Sequence, residues 1–236
     1  MQPKPDPAFH TTLHLLPQLS HIHMNALIVY SGGLDSSTLL HQYKSDIRLA
    51  VSFHYGSKHN DREIAYAKRN CEELGIRHIV INLGFMNEHF KSDLLQSGGD
   101  IPEGHYEEDN MKKTIVPFRN GIMLSIAVGL AESNELDTVL IGNHFGDHAI
   151  YPDCRRSFID AFTAAAEAGT EVGIKILSPY CDITKREIAL IGQKMGIDYS
   201  KTYSCYKGGE KHCGKCGTCV ERKEALEGFD PTIYEN

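Results

Sequence analysis

Residues 25–40 read NALIVYSGGLDSSTLL, and this stretch decides what kind of sheet the chain builds. Ala26 to Val29 form an apolar run too short for a helix and suited to a buried strand. Tyr30 to Ser37 then bring two adjacent glycines, four hydroxyls and one carboxylate, with no lysine. Gly32 and Gly33 let the backbone approach a ligand without a Cβ in the way, and the amides opening the next helix carry partial positive charge. A Walker A loop requires a lysine for the β and γ phosphates, so this loop is a different device. An amide and hydroxyl nest suits pyrophosphate held as a leaving group, with Asp35 either holding Mg2+ or capping the helix. A Gly-Gly turn before a capped helix is common; its place after a buried first strand gives this one its meaning. The candidate nucleotide site is therefore Tyr30, Ser31, Gly32, Gly33, Leu34, Asp35, Ser36 and Ser37.

Outward from that loop, strand and helix patterns alternate. A helix near Ser36 to Tyr43 leads to the strand-like IRLAVSFHY, making a βαβ unit. DREIAYAKRNCEELG puts Ile64, Ala67, Cys71 and Leu74 on one helical face and ends on Gly75, a good C-cap, before the strand HIVINL. NGIMLSIAVGLAES is a strongly apolar helix, DTVLIG a buried strand, FIDAFTAAAEAG a helix and IKILS a strand. In TKREIALIGQKMG, Thr184 and Glu187 form a capping box and Gly196 closes the helix. Apolar rather than alternating strands predict a parallel sheet covered on both faces, a doubly wound α/β fold. Ligands in such sheets sit beyond the carboxyl ends of the strands where the strand order reverses. Residues 84–117 and 199–219 break the alternation, and the former is a candidate lid.

The 236 residues suffice for one α/β domain with a small appendage. Residues 1–23 read as a leader or tail, because Met24 makes a natural start; residues 24–198 form the nucleotide-binding body and 199–236 a C-terminal lobe. The net charge of −7 argues against tight binding to long nucleic acid, which needs many basic contacts to phosphate. No apolar stretch approaches the roughly 20 residues of a membrane span, and the first residues make a poor secretory signal, so a cytoplasmic protein is expected.

Four of the seven cysteines, Cys205, Cys213, Cys216 and Cys219, fall within fifteen residues. Clustered thiols in a reducing compartment favour metal over disulfide. Four ligands in a glycine-rich segment suit closed tetrahedral zinc, one per chain and structural. An iron–sulfur cluster is the main competitor, and a redox C-x2-C pair another; His212 beside the cluster could replace a thiolate. Cys71 continues an apolar helix stripe and reads as a small buried hydrophobe.

The S-G-G-x-D-S stretch after a first strand resembles the PP-loop of the N-type ATP pyrophosphatases. With HYGSKH (54–59), VPFRNGIMLSIAVGLAE (116–132), IGNHFGDHAIYPDCR (141–155) and SCYKGGEKHCGKCGTCVER (204–222), the chain from Met24 almost to its end is similar to the 7-cyano-7-deazaguanine synthase family. Against the usual pattern, Phe118 stands where glycine is frequent, and IGNHFGDHAI replaces GVNAxDYSG.

The resemblance implies conversion of 7-carboxy-7-deazaguanine and ammonia to the nitrile with ATP and Mg2+, in a homodimer without membrane partners. Asp35, Arg119 and Lys185 are then catalytic candidates, and Asn120, Asp147, Tyr151, Asp153 and Lys207 substrate-binding ones. Each also has a plainer reading: Arg119 and Asn120 as a polar helix start, Asp153 as a loop cap, Lys185 as a first-turn helix residue. A tRNA-modifying PP-loop enzyme, a member attaching a deazaguanine to a protein amine, and a nucleotide- or zinc-binding regulator are the alternatives.

Overall fold

The computed structural model of the chain describes residues 24–105 and 109–235, so the expected leader at 1–23 lies outside the described residues. Five strands, β1 (Ala26–Val29), β2 (Ile47–His54), β3 (Arg77–Asn82), β4 (Thr138–Leu140) and β5 (Lys175–Leu177), pair in parallel in the order β3-β2-β1-β4-β5. This is the doubly wound sheet that the alternation predicts. The order reverses at β1, which lies between β2 and β4, so the crevice beyond its carboxyl end opens where the glycine loop begins.

Both faces of the sheet are buried, which is why its strands read as continuous apolar runs. Leu27, Leu49, Val51 and Val139 point into one core, while Ala26, Ile28, Ala50 and Leu140 point into the other. On the second face pack α1 (Leu34–Gln42), α2 (Asn60–Leu74) and α6 (Lys185–Lys194), through Leu39, Ala67, Cys71 and Ile188. Burial pushes the Cys71 thiol up to about 12, as suits an inert packing residue. α4 (Arg119–Ser133) and α5 (Arg156–Gly169) cover the first face with Leu124, Ala127, Ile159 and Ala166. Each large side chain so buried contributes about 1.5–3 kcal/mol of transfer free energy. The expected helix stops are present: Gly75 takes φ 68° after α2, and the Thr184 and Glu187 capping box opens α6.

The two irregular segments are integrated into this frame. After α3 (Phe85–His89), residues Leu94, Leu95, Ile101, Met111 and Val116 enter the first core, so the candidate lid is largely packed. Lys58 ties it down, its Nζ donating to the carbonyls of Asp93 (2.6 Å), Leu95 (2.8 Å) and Gly99 (2.7 Å). At the other end, α7 (Gly217–Ala225) carries Arg222, which is 1% exposed. Its guanidinium donates to Tyr199 O, Thr202 Oγ1, Ser204 Oγ and Thr232 Oγ1, satisfying a buried cation with four acceptors. One sequence expectation is corrected. The stretch Met111–Ser133 does reach the length and apolarity of a membrane span, yet half of it is buried and α4 supplies core residues.

Lys58→Met should leave three buried-edge carbonyls without their donor. It is expected to cost about 1–3 kcal/mol in urea unfolding and to abolish slow amide exchange across residues 92–99. Unchanged exchange there would show that the apolar contacts alone hold the segment.

Candidate functional site

Beyond the carboxyl ends of β1, β2 and β4 lies a cavity of about 210 Å³, walled by the glycine loop, the start of α2, the start of α4 and Lys185. Gly32 takes φ 87°, and a Cβ there would lie 2.6 Å from Glu63 O and 2.8 Å from Ala67 N. Only glycine allows the loop to turn this way while lying on α2. Gly33 is the N-cap of α1 and offers no side-chain cap, so the first-turn amides face the cavity unscreened. The Ser31 and Ser36 hydroxyls meet at 3.0 Å at its edge, and Ser31 Oγ accepts from Gly33 N. Leu34 and Asp35 also line it.

Tyr30 lines the cavity as well, but its hydroxyl and that of Ser37 turn towards α2. Ser37 Oγ is 3.0 Å from Tyr30 Oη, and Asn70 donates to the same phenol, so both hydroxyls brace α1 against α2 from behind. Ser37 lines a second, smaller hollow instead.

Charge is concentrated on two sides. Arg119, the first residue of α4, lies over the rings of Tyr55 and Tyr151 at 5.7 Å each and donates to Tyr55 Oη. Those rings fix its direction into the cavity. On the other side Lys185 Nζ lies 2.6 Å from Glu221 Oε2 and 3.4 Å from Asp35 Oδ2. Burial disfavours its charge, but Asp35, Glu221 and Asp147 outweigh that and hold the ammonium well above the usual lysine range. The Oδ1 of Asp35 is buried without a hydrogen-bond partner among the described residues, an oxygen suited to a cation.

Phe118 precedes Arg119 in a left-handed conformation, φ 53°. A side chain there costs roughly 1–2 kcal/mol, which accounts for glycine being the easier choice at this position.

Asn120 and Asp147 line the cavity with Arg119 and Lys185. Asp153, Tyr151 and Lys207 lie outside the lining of this cavity. Asp153 Oδ2 accepts from Asn120 N at 2.8 Å, so the carboxylate caps α4 and satisfies a free amide. Tyr151 packs beneath Arg119 with its hydroxyl near Thr114 and Tyr206. Lys207 pairs with Glu103 at 2.6 Å, outside the cavity, and its neighbour Tyr206 lines the wall instead.

The sequence expectation omitted His59, Glu63, His144 and Glu221. His59 and Glu63 are four apart at the start of α2, a spacing that puts both on one face, and this was the available signal. Asn60 fixes them by accepting from Tyr55 N and Ser57 N while donating to Phe53 O. His144 Nδ1 accepts from Gly146 N, which assigns the proton to Nε2. That nitrogen sits 3.6 Å from both Asp147 and Glu221. Nothing short-range in the sequence pairs Glu221 with Lys185.

Desolvation acts strongly on the α2 pair: Glu63 is pushed up to about 8 and His59 down to about 3. The nearby Arg119 charge opposes the Glu63 shift and adds to that of His59.

Cys205, Cys213, Cys216 and Cys219 are all buried, and their sulfurs lie within 4.8 Å of one another. Tetrahedral zinc with bonds of about 2.3 Å needs sulfurs about 3.8 Å apart, and Cys213 and Cys219 are at 3.9 Å. Backbone amides of Cys213, Lys215 and Cys216 point at cluster sulfurs, as thiolates require. The four positions fit a closed structural metal. His212 is turned away from that duty: its Nε2 accepts from Ser204 N and its ring stacks near Tyr203.

The profile of the queuosine biosynthesis protein QueC matches residues 25–230. A 7-cyano-7-deazaguanine synthase of Porphyromonas gingivalis is 60% identical over 89% of this chain and 97% of its own. One from Desulfotalea psychrophila is 51% identical, covering 89% and 99%. Among solved structures, the U34-tRNA thiolase NcsA from Methanococcus maripaludis with its [4Fe-4S] cluster superposes with a TM-score of 0.50. It is 17% identical, over 78% of this chain and 61% of that one, a likeness of fold.

Two measurements test the geometry. Cys216→Ser is expected to lose the bound metal by elemental analysis and to lower the unfolding temperature, since the metal's binding energy is folding energy; retained metal would remove Cys216 from the ligand set. For Glu63, the folded chain keeps its proton up to about 8 whereas the unfolded chain releases it near 4.5. The folded state therefore binds more protons across that window, and stability falls as pH rises through it. Glu63→Gln should flatten that fall, read from urea midpoints at both ends of the window. An unchanged slope would mean the carboxyl is not desolvated.

Proposed function

The chain belongs to the queuosine biosynthesis protein QueC family, and from that premise we propose that its cavity converts 7-carboxy-7-deazaguanine, ammonia and ATP into 7-cyano-7-deazaguanine. The observation that carries it is the lysine-free loop at the strand-order reversal, with Arg119 and Lys185 opening into the same cavity.

A carboxylate resists ammonia because its oxygen leaves badly. Attack of that oxygen on the α-phosphorus of ATP breaks the bond to pyrophosphate and forms an acyl adenylate. Ammonia displaces AMP to give the amide. The amide oxygen attacks a second ATP in the same way, and loss of AMP with the last N–H protons leaves the nitrile. One site thus activates the same carbon twice.

The amides of Leu34 and Asp35, with the Ser31 and Ser36 hydroxyls, cradle the β and γ phosphates. Arg119 offers a planar fork to the phosphate or the substrate carboxylate, and Lys185 a point charge to the departing pyrophosphate. Asp35, through its unpartnered oxygen, is the residue that would hold Mg2+, whose charge offsets that of the phosphates. Asn120 and Asp147 face the polar edge of the deazaguanine. Asp153 and Tyr151 act one layer out, holding α4 and Arg119 in place, and Tyr151 is braced by Tyr206 on the cavity wall. The four cysteines hold one structural Zn2+ per chain, which anchors the segment carrying Tyr206. Family likeness is also the ground for taking the enzyme as a cytoplasmic homodimer.

Purified protein with ATP, Mg2+, ammonium and 7-carboxy-7-deazaguanine should yield AMP, pyrophosphate and the nitrile by mass spectrometry. Release of ADP instead would overturn attack at the α-phosphorus, and no AMP under any condition would overturn the activity. Arg119→Lys, which keeps the charge and loses the fork, is expected to lower kcat about 100-fold. Full activity in that variant would remove Arg119 from the phosphate contacts.

A further inference from the structure

Glu63 contributes nothing to the chemistry above, yet it stands where a plain surface acid would not. It belongs to the first turn of α2, its side chain is only 15% exposed, and it lines the same cavity as the phosphate loop. Its Oε1 would be 3.9 Å from a Cβ on Gly33. A bare carboxylate so close to an anion cradle repels the ligand the cradle is built for, unless it carries a proton or holds a cation. His59, one turn earlier, places Nε2 3.4 Å from Glu63 Oε2. The ring is 3% exposed, and its Nδ1 is buried with no hydrogen-bond partner among the described residues. Burial keeps the imidazole neutral, so the pair adds no positive charge of its own. The Tyr55 and Tyr206 side chains wall the same corner, with Tyr206 and His59 rings 5.1 Å apart. A small desolvated space with a carboxylate, an uncharged ring and aromatic walls suits a small hydrogen-bonding cation.

We infer that Glu63, seated beside His59, binds ammonium and takes its proton, delivering ammonia to the acyl adenylate; this rests on the acid-activating reading given above. The balance is simple. The Glu63 carboxylate accepts one proton from ammonium, and the freed nitrogen pair attacks the acyl carbon. The carbon–oxygen bond to AMP breaks with its electrons left on the phosphate oxygen, and the new amide nitrogen sheds a second proton to solvent. Glu63 releases its own proton to solvent before the next ammonium binds. A carboxyl whose proton affinity lies near neutrality, as desolvation makes this one, is suited to both halves of that exchange. His59 is a positioning residue, fixing the carboxyl and closing the space behind the cation.

The competing role for a buried carboxylate here is a ligand to the Mg2+ that accompanies ATP, and the two roles separate by step. Three rates are compared in the unsubstituted chain, Glu63→Gln and Glu63→Asp: acid-dependent exchange of labelled pyrophosphate into ATP without ammonium, product formation with ammonium, and hydroxamate formation with hydroxylamine. Hydroxylamine is already neutral at the assay pH and needs no base. In Glu63→Gln, exchange and hydroxamate formation are expected within about threefold of the unsubstituted chain, while turnover with ammonium falls about 100-fold or more with a raised KM for ammonium. Glu63→Asp should recover part of that loss. An equal fall in all three rates would overturn the inference in favour of a metal-binding or structural role, and an unimpaired Glu63→Gln would overturn it outright. Absence of exchange in the unsubstituted chain would instead overturn the adenylation reading, and this inference with it.

Discussion

The contact of Gly32 with α2 is the constraint from which the rest of the site follows. A backbone that turns through φ 87° while lying against Glu63 O and Ala67 N can be made only where no Cβ exists. That contact aims the amides of α1 into the crevice, and it also fixes the first turn of α2 beside them. The phosphate cradle and the Glu63 corner are therefore two sides of one packing event. The hydroxyl chain from Ser37 through Tyr30 to Asn70 reinforces the same joint from behind.

Around this joint the protein tolerates several groups at odds with maximal stability. Burial disfavours the charged forms of Glu63 and His59, Phe118 occupies a left-handed conformation, and Lys185 is packed among three carboxylates. Each costs free energy that a purely structural interior would avoid. They gather at the carboxyl edge of the sheet, where the surrounding apolar layers over-determine the backbone. Among the described residues, the buried side-chain polar atoms left without partners belong to Asp35, Ser57, His59 and His144, near that edge, while Arg222 deeper in the fold meets four acceptors. The contrast separates scaffold from working surface without recourse to any relative.

The cysteine cluster belongs to the scaffold, although it bears on the site. Its sulfurs lie within the first core, and the loop between Cys205 and Cys213 carries Tyr206 to the cavity wall. A metal held by these four thiolates would close a long loop and fix that wall at a point where the chain has no regular secondary structure. Lys58 fixes the segment after α3, its ammonium donating to three carbonyls there.

From local pattern alone, the chain determined its sheet, its helix ends and the glycine turn that opens α1. Alternation of apolar runs with 3.6-period stripes set the doubly wound order, Gly75 and Thr184 with Glu187 set helix ends, and cysteine spacing set the metal site. These are matters of residues within a few positions of one another, for which backbone sterics and local hydrogen bonds suffice. What the pattern left open were side-chain directions: Asp153 caps α4, the plainer of its two readings, and Lys207 pairs with Glu103. What it omitted were partners far apart in the chain. Lys185 meets Glu221 across 36 residues and Asp35 across a greater span, and the Glu63 carboxyl reaches the loop only because α2 lies against Gly32. Such pairs are chosen by packing of whole elements, and the desolvation that shifts their protonation exists only once those elements have closed over them.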